Sequence, residues 1–427
     1  MYQIQYMGES KIKRVSFVGW KDYANVMTEY SDSINKYVDG FESKVICEVP
    51  HPINYGKPHD FNLQNHDVSG NVIRNEEVIK EARSWLRKSN HIIFAPERGP
   101  NWGDGSPTNQ QEHINKLRSI GLGDPKSHLT GLGYVSNILG MDIIKDTLAG
   151  NSGNVHLYHT GSHYRNNSEL YNIIGINHFN KLIHGVDLYR LSWYDLLNMD
   201  INNTPLNRLL GINKKYSEEN HVTLYTSYDK DLDKVGVNEI IDGKFVGSKI
   251  LIFHAPTSRE MKGTDIITQV VNDVIKKLGG VVDVEFITPQ TYYETKNLCD
   301  KDTGWIDNVE IMKLKKRCHI YIDEFNPQVG YFGGSTVEAL MTGNVTFATI
   351  NNFTPEAIIS ANKNINASVC PVIHIGPTPD EFNNILMTYL QKPMSELKEI
   401  AKTGLDWYYQ TSTHKSVAVK FEKEILI

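Results

Sequence analysis

Short runs of apolar, mostly β-branched residues alternate along this chain with longer amphipathic stretches. The first half predicts strands at 14–19, 44–49, 91–95, 155–159 and, weakly, 223–225, with helices at 23–37 and 76–86. Strands separated by helices of this length are typical of an α/β protein, in which the helices cross over between the strands of a largely parallel sheet. The first half is therefore predicted to form one α/β unit.

A second series of the same kind begins near Lys249. It predicts strands at 250–254, 282–287, 320–322 and 345–348, and helices at 265–278 and 335–342. The 265–278 helix has its apolar residues on one stripe, formed by Ile266, Ile267, Val270, Val274 and Leu278. Residues 228–247, rich in Asp, Lys and Gly, are interpreted as the connection between two Rossmann-like halves. Such halves bind ligands at the carboxyl ends of their strands, which predicts a site in the cleft between them.

The composition narrows the class of protein. The chain has 427 residues, of which 40% are hydrophobic, and 44 Lys+Arg against 50 Asp+Glu give a formal net charge of −6. These values are ordinary for a globular protein of two or three domains and exclude an extensively disordered chain. The mild acidity argues against a broad basic field that coats nucleic acid, although it leaves room for a local basic groove.

Metal-binding and disulfide patterns are not evident in the sequence. The four cysteines, Cys47, Cys299, Cys318 and Cys370, are widely scattered and have no partner at zinc-ligand spacing, so we expect reduced thiols. The N-terminus lacks the charged and then apolar pattern of a signal peptide, and the apolar runs are far shorter than the ~20 residues needed to cross a bilayer. These features predict a cytoplasmic protein without a transmembrane segment.

The segment 330–343 has the strongest functional pattern. Its glycines lead into a predicted helix whose first residues are Ser335 and Thr336. A helix start presents backbone N–H groups and the positive end of the helix dipole, and glycine lets an anion approach that backbone closely. A phosphate site is one interpretation, and an ordinary loop–helix junction is the other. Glu338, three residues after Ser335, could instead close a capping box.

A second segment, 254–264, follows a buried strand and precedes a helix. It carries Arg259 and Lys262, whose planar guanidinium and compact ammonium together suit a diphosphate. Two cations on a loop are more often solvated surface. Both segments, however, lie at strand ends of the same α/β half, and the amides of one would complement the cations of the other.

Taken together, these motifs resemble a known family. His254-Ala-Pro-Thr-Ser-Arg-Glu-Met-Lys-Gly263, Tyr321-Ile-Asp323 and Gly330-Tyr-Phe-Gly-Gly-Ser-Thr-Val-Glu-Ala-Leu-Met-Thr-Gly343 resemble the C-terminal half of GT-B glycosyltransferases, in particular the large retaining group that uses nucleotide-diphosphate sugars. The resemblance is good over about 250–350 and weaker elsewhere. It implies an α/β fold with two Rossmann-like domains facing a central cleft, and a C-terminal helix that crosses back to the first domain.

The resemblance also implies roles for residues of the second half. Arg259 and Lys262 would hold the donor diphosphate as part of the catalytic site, and Glu338 would bind the ribose hydroxyls. The remaining donor-binding positions are at the helix start: Gly333, Gly334, Ser335 and Thr336. The chain departs from the family at Gly330, where a Glu commonly contacts the donor sugar, and in a shorter spacing between the two cations.

In the first half, the resemblance implies a site at two strand ends. Gly19 follows the first strand in a position that lies over the donor phosphates in the family, although a simple βα turn is an equal interpretation. His159, at the end of the 155–159 strand, matches the family's strand-end His facing the donor sugar, and is assigned a catalytic role. Three residues are candidates for the acceptor side: His163, Arg165 and, in the long 96–107 loop, Arg98.

The implied organisation has three parts. Residues 1–235 would form the acceptor-side domain, 236–405 the nucleotide-sugar-binding domain, and 406–427 the returning C-terminal helix. No cofactor or metal is expected, since cations and helix amides replace a metal in this family and the nucleotide-diphosphate sugar is a co-substrate. We interpret Asp229-Lys230-Asp231 as solvated surface, and the basic run 313–317 as a solvated helix face.

Three functions remain open from the sequence. The first is transfer of a sugar, with retention of configuration, to a hydroxyl acceptor on a saccharide, a lipid-linked sugar or a glycan. The second is a phage-type enzyme that modifies hydroxymethylated bases in DNA, located in the host cytoplasm. The third is a non-catalytic nucleotide-sugar-binding protein.

Overall fold

Two parallel β-sheets and the helices around them form the computed structural model of this protein. It describes residues 12–19, 22, 25–48, 59–66, 72–95, 139, 154–159, 181–184, 221–223, 237–256, 259, 262–288, 308–327, 333–350 and 370–427.

The first sheet is built from the N-terminal half. Its strands are β1 (Lys13–Gly19), β2 (Phe41–Cys47), β3 (Phe61–Asn62), β6 (His91–Ala95), β7 (Val155–His159), β8 (Lys181–His184) and β9 (His221–Thr223). They lie in the order β3-β2-β1-β6-β7-β8-β9, and each neighbouring pair is parallel. Between β3 and β6 lie an antiparallel pair, β4 (Gln64–His66) and β5 (Val72–Arg74), and α2 (Glu76–Leu86). The crossover between β1 and β2 is α1 (Val26–Tyr37).

The second sheet is built from the C-terminal half. Its strands are β10 (Ile250–Phe253), β11 (Val284–Ile287), β12 (Ile320–Glu324), β13 (Val345–Ala348) and β14 (Ile373–His374), in the order β11-β10-β12-β13-β14 and all parallel. The helices are α3 (Val237–Asp242), α4 (Thr264–Leu278), α5 (Asn308–Arg317), α6 (Gly334–Met341), α7 (Pro379–Leu390) and α8 (Met394–Thr411). Strand, helix and parallel strand in both halves make each a Rossmann-like unit.

The C-terminal helix packs on the first half. This helix, α9 (His414–Phe421), ends in a π-helical turn over Glu422–Leu426. Val417, Ala418 and Phe421 are buried in the same apolar cluster as residues of β1 and α1. Phe421 meets Phe17 edge-on, with ring centroids 5.9 Å apart. The predicted return of the C-terminal helix to the first domain is therefore confirmed.

Strand order fixes where each half has its crevice. In the first sheet the order reverses between β1 and β6, and in the second between β10 and β12. Connections leaving neighbouring strands at such a point run to opposite faces of the sheet, so their carboxyl ends leave an open crevice. The chain just after β10 and just after β12 is therefore where the second half can hold a ligand.

Most predicted elements agree with the structure within a few residues, and the differences have identifiable causes. The segment predicted as the connection, 228–247, lies between the two sheets and contains α3, which was not predicted. Helix α7 was not predicted, although Thr378 and Glu381 form a capping box with Pro379 at the helix start. Of the cysteines, Cys47 and Cys318 are buried free thiols and Cys370 is a half-buried one, while Cys299 lies outside the described residues. Of the described helices, none has the length and apolar character to cross a membrane.

Candidate functional site

His254 ties together the elements at the carboxyl edge of the second sheet. It follows β10 and is fully buried. One ring nitrogen, Nδ1, lies 2.8 Å from the Ile322 carbonyl oxygen of β12, and Nε2 lies 2.9 Å from the Thr264 hydroxyl at the start of α4. Burial lowers the pKa of His254 to about 4, so the ring is neutral near pH 7. A neutral histidine therefore fixes the exit of β10 against β12 and α4.

Gly263 brings the loop after β10 against the chain after β12. Its φ of +62° lies in the left-handed region, and a Cβ added there would be only 2.1 Å from the Phe325 carbonyl oxygen. The Phe325 amide donates to the Lys262 carbonyl over 3.0 Å. Only glycine fits both the conformation and the approach, which places the neighbouring Lys262 beside the end of β12.

Lys262 lies between two carboxylates at the end of β12. Its Nζ is 2.9 Å from Asp323 Oδ1 and 3.0 Å from Glu324 Oε2, and its side chain is 13% exposed. Burial of Asp323 by itself would raise the pKa of that carboxyl, but the Lys262 charge and the hydrogen bonds from Thr336 and Lys262 outweigh it and lower the pKa. Asp323 is therefore held ionised beside Lys262 in a partly buried cluster.

The start of α6 meets the same cluster. Its N-cap is Gly333, in an extended conformation and without a side-chain cap, so the predicted alternative of a Ser335–Glu338 capping box is wrong. Thr336 donates its hydroxyl to Asp323 Oδ2 over 2.6 Å. The loop carrying Lys262 and the helix start beginning at Gly334 thus meet at one carboxylate.

Glu338 faces the interior and is held by α5. Its Oε2 lies 2.6 Å from Lys315 Nζ, and its Oε1 accepts from Asn308 Nδ2 over 2.9 Å. The interpretation of the 313–317 run as a solvated helix face is therefore wrong for Lys315, which is fully buried, while Lys316 and Arg317 are exposed. Lys315 falls on the apolar side of α5, where its aliphatic stem packs and its ammonium reaches an acid.

Arg259 stands at the rim of this site. Its side chain is 59% exposed, and its Nη2 lies 3.0 Å from Oδ1 of Asp265, which is itself 91% exposed. Exposed ion pairs of this kind contribute little stability, about 0–1 kcal/mol. The guanidinium is therefore accessible to an anion at this rim, whereas Lys262 is fixed between two buried carboxylates.

Gly19 ends β1 at the carboxyl edge of the first sheet. A Cβ there would lie 2.9 Å from Met27 Cε and 3.0 Å from the Ala95 carbonyl oxygen. Asp22 follows and caps α1, since Oδ1 accepts from the Met27 amide over 2.7 Å and Oδ2 from the Thr28 amide over 2.8 Å. Burial raises the pKa of Asp22 to about 7 against the lowering effect of these hydrogen bonds. The backbone at Gly19 therefore lies close to Met27 and to Ala95.

A buried contact joins this edge to the C-terminal helix. His414 Nε2 lies 2.7 Å from Glu29 Oε2, and both side chains are almost fully buried. Asn25, the left-handed residue before α1, donates to the other oxygen of Glu29 over 3.1 Å. The last helix is therefore joined by a polar contact, as well as by apolar packing, to the α1 end that follows Gly19.

For several predicted site residues, the residue or its side chain lies outside the part of the chain that the structure describes. Arg98, His163 and Arg165 lie outside the described residues. His159 is the last residue of β7, paired in register with His184 of β8, and its side chain is likewise outside the description. Within the described part of the chain, no group of three or more His, Cys, Asp or Glu side chains is arranged to hold a metal ion.

Comparison with known proteins identifies the fold. No protein-family model matches the sequence, and no curated protein matches it. Among solved structures, an alpha-glucosyltransferase in complex with UDP and a 13-mer DNA superimposes with a TM-score of 0.51 at 9% identity, over 97% of this chain and 99% of that chain. This protein has the GT-B fold. The predicted fold class, α/β with two Rossmann-like domains, is thereby confirmed.

Two further solved structures match with lower scores. The Anabaena protein HepE with UDP and glucose has a TM-score of 0.47 at 11% identity, over 96% of this chain and 98% of that chain. The Staphylococcus aureus MnaA–UDP structure has a TM-score of 0.44 at 10% identity, with 97% of each chain covered.

Some residues of this candidate site were missed in the sequence, although three of them leave a signal. Asp323 and Glu324 end a strand whose other residues are apolar, and adjacent carboxylates in such a place require a cation. Lys315 lies four residues after Ile311 and three after Met312, on the inner stripe of α5. The Glu29–His414 contact spans 385 residues and has no local signal.

Proposed function

We propose that this protein is a glycosyltransferase that moves a sugar from a nucleotide-diphosphate sugar to a hydroxyl acceptor, with retention of configuration. Residues 236–405 would bind the donor, 1–235 the acceptor, and 406–427 would link the two. The reaction would take place in the cytoplasm and use no metal or other cofactor. The GT-B structure whose fold it shares holds UDP, which makes UDP the first nucleotide to test.

One observation carries the proposal. At the crevice of the second sheet, Asp323 accepts from Lys262 of the loop after β10 and from Thr336 in the first turn of α6. A basic loop and a glycine-led helix start are thereby held at one place, and the N–H groups of such a start are suited to a phosphate. Arg259, exposed at the rim, adds a guanidinium that can swing onto the anion.

The chemistry requires this arrangement of charge. When the bond between sugar and diphosphate breaks, negative charge grows on the leaving phosphate and positive charge on the anomeric carbon. Donors that are already fixed stabilise the leaving phosphate more in the transition state than in the bound donor, and so lower the barrier. Lys262 and the amides of Gly334 and Ser335 are the fixed donors, and Arg259 is the mobile one. Gly19 and His159 would face the sugar and the acceptor from the first half.

A donor panel tests the proposal directly. The protein is screened with UDP, ADP and GDP sugars for an increase in melting temperature and for release of the free nucleoside diphosphate. A donor present well above its Kd stabilises the native state by several degrees. We expect Arg259→Ala to lower kcat/KM for donor turnover by about 100-fold, as expected for loss of a charge-assisted contact to the leaving group.

The matched control is Lys276→Ala, an exposed residue in the last turn of α4. It removes a positive charge from the same half of the molecule but far along the helix from the site. Equal activity of Arg259→Ala and wild type would remove Arg259 from the donor site. Failure of every nucleotide sugar to bind would refute the proposed function, and binding without turnover on any acceptor would favour a non-catalytic nucleotide-sugar-binding protein.

DNA is the second candidate acceptor. The GT-B alpha-glucosyltransferase noted above is a complex with DNA as well as UDP, which favours testing it. Transfer of radiolabelled sugar is compared on a duplex containing hydroxymethylated bases and on the same duplex without them. Labelling of the hydroxymethylated duplex alone, with binding that weakens steeply as salt rises, would identify DNA as the acceptor. If the NMR spectrum of any product shows that the transferred sugar has the inverted anomeric configuration, the proposed retention is contradicted.

A further inference from the structure

Lys315 is a buried cation on an otherwise exposed basic run. It is 0% exposed, whereas Lys313, Lys316 and Arg317 on the same helix are exposed. Burying an ammonium is unfavourable unless its hydrogen-bond donors and its charge are both satisfied. The groups that contact Lys315 therefore indicate which part of the structure this buried charge serves.

All three ammonium donors of Lys315 have acceptors beneath the start of α6. Nζ lies 2.6 Å from Glu338 Oε2, 2.9 Å from Ser335 Oγ and 3.0 Å from the Ser335 carbonyl oxygen. It also lies 4.5 Å from the centroid of the Tyr321 ring, whose hydroxyl is 2.6 Å from Ser335 Oγ. Burial alone would lower the pKa of Lys315, but Glu338 and the other nearby acidic groups outweigh it and raise the pKa. Lys315 is thus a fixed positive charge.

The other oxygen of Glu338 is held from the same helix. Asn308 Nδ2 donates to Oε1 over 2.9 Å, while Lys315 takes Oε2. Asn308 and Lys315 are seven residues apart on α5, which is two helical turns, so they project from one face. Two donors from one rigid helix grip the two carboxylate oxygens separately and so fix the plane of the group.

A carboxylate gripped in this way can still bind a ligand. Each carboxylate oxygen accepts about two hydrogen bonds, so one bond to each leaves capacity on both. Two adjacent hydroxyls of a sugar ring match two fixed oxygens, provided that the carboxylate does not rotate. The contacts of Asn308 and Lys315 with the two oxygens meet this condition.

We propose that Lys315 and Asn308 are positioning residues that keep the Glu338 carboxylate oriented for the vicinal hydroxyls of the donor's ribose. This inference rests on the proposed function. It assigns the recognition of ribose in part to Asn308 and Lys315, which act through Glu338 and do not themselves contact the donor. It also gives Lys315 a second task, which is to hold the Ser335 turn in place where the helix start meets the phosphate.

The test is discrimination between UDP and 2′-deoxy-UDP, measured as the ratio of their Kd values by calorimetry. We expect wild type to favour UDP by about 10-fold, as for loss of a hydrogen bond to a charged group. Asn308→Ala, which keeps the Lys315–Glu338 pair, should lower the ratio to about 3-fold, and Lys315→Met should bring it close to equality. In both variants the Kd for 2′-deoxy-UDP should change less than the Kd for UDP, a pattern that general loss of structure does not produce.

Lys316→Met is the matched control, since it makes the same substitution one residue along on the exposed face of α5, and it should keep the wild-type ratio. Should Lys315→Met fail to fold, Asn308→Ala alone decides. A wild-type ratio that persists in Asn308→Ala and in folded Lys315→Met would overturn the inference, as would a wild type that binds both nucleotides equally. If wild type binds neither nucleotide, the proposed function fails first.

Discussion

Two buried aspartates at the carboxyl edges of the two sheets differ in one feature. Asp22 follows β1 and accepts from the amides of Met27 and Thr28, while Asp323 ends β12 and accepts from Thr336 and Lys262. Each is about 1% exposed, and each accepts from two donors within 3 Å. Only Asp323 has a cation among them.

The effect on ionisation is opposite. Burial raises the pKa of Asp22 to about 7, because two amide hydrogen bonds do not offset desolvation. At Asp323 burial acts in the same direction, but Lys262 reverses it and the pKa is lowered. The first edge therefore holds a carboxyl group that is partly protonated near pH 7. The second edge holds an ionised carboxylate beside a fixed cation. A site for an anionic diphosphate needs a fixed cation such as Lys262, and its place at the second edge fits the proposed division of donor and acceptor between the halves.

Removing the cation is the strongest way to break this contrast. In Lys262→Met, Asp323 and Glu324 lose the positive charge that lies between them, and two buried carboxylates remain without this cation. Loss of one partner of a buried pair typically costs about 3–5 kcal/mol in the free energy of unfolding, which urea denaturation would measure. Arg259→Met removes an exposed cation of the same segment and should cost less than about 1 kcal/mol. Equal losses in the two variants would show that Lys262 is not the ion that holds this edge.

The backbone at the two edges gives a second, smaller contrast. Gly263→Ala combines a left-handed φ with a Cβ 2.1 Å from the Phe325 carbonyl oxygen, and we expect it to cost about 3 kcal/mol. Gly19→Ala meets Met27 Cε at 2.9 Å and the Ala95 carbonyl oxygen at 3.0 Å, and the flexible methionine can move, so about 1–2 kcal/mol is expected.

Gly280→Ala separates conformation from contact in this comparison. Its φ is +83°, but nothing lies within 4 Å of the added Cβ. It should therefore show only the left-handed penalty, about 1 kcal/mol. If Gly263→Ala were no worse than Gly280→Ala in urea denaturation, the close approach of the loop to the end of β12 would not be a constraint on the fold.

How far the sequence predicts these edges depends on the distance between partners. Strands β6, β7 and β13 and helix α2 were predicted at their observed bounds, because alternation and helical periodicity are local. Lys262 and the start of α6 were predicted as a site from their own neighbours in sequence. Their link through Asp323 was not, since an acid at a strand end looks like a loop residue until its cation is known.

The first edge was harder to predict for a related reason. To predict Asp22 as a helix cap, one must know that its side chain accepts from the backbone amides five and six residues later in the chain. The Lys315 interpretation failed because basic runs on helices are usually solvated, and only the partner on α6 shows that one of the four basic residues points inward. Interactions between elements, rather than within them, are what the sequence leaves undetermined.

The pH dependence of stability gives a further test of the contrast between the two aspartates. Asp22 binds a proton more tightly in the folded state, so its contribution is present below about pH 4 and is lost as pH rises towards 7, at up to about 1.4 kcal/mol per pH unit. The lowered pKa of Asp323 has the opposite sign: its contribution is complete above about pH 4 and is lost only on further acidification. The free energy of unfolding is measured between pH 4.5 and 7.5 for wild type, Asp22→Asn and Asp323→Asn. Wild type minus Asp22→Asn should fall across this range, and wild type minus Asp323→Asn should stay level, since any pH-independent cost of the amide cancels in the slope. Parallel slopes for the two differences would mean that Lys262 does not distinguish the two edges.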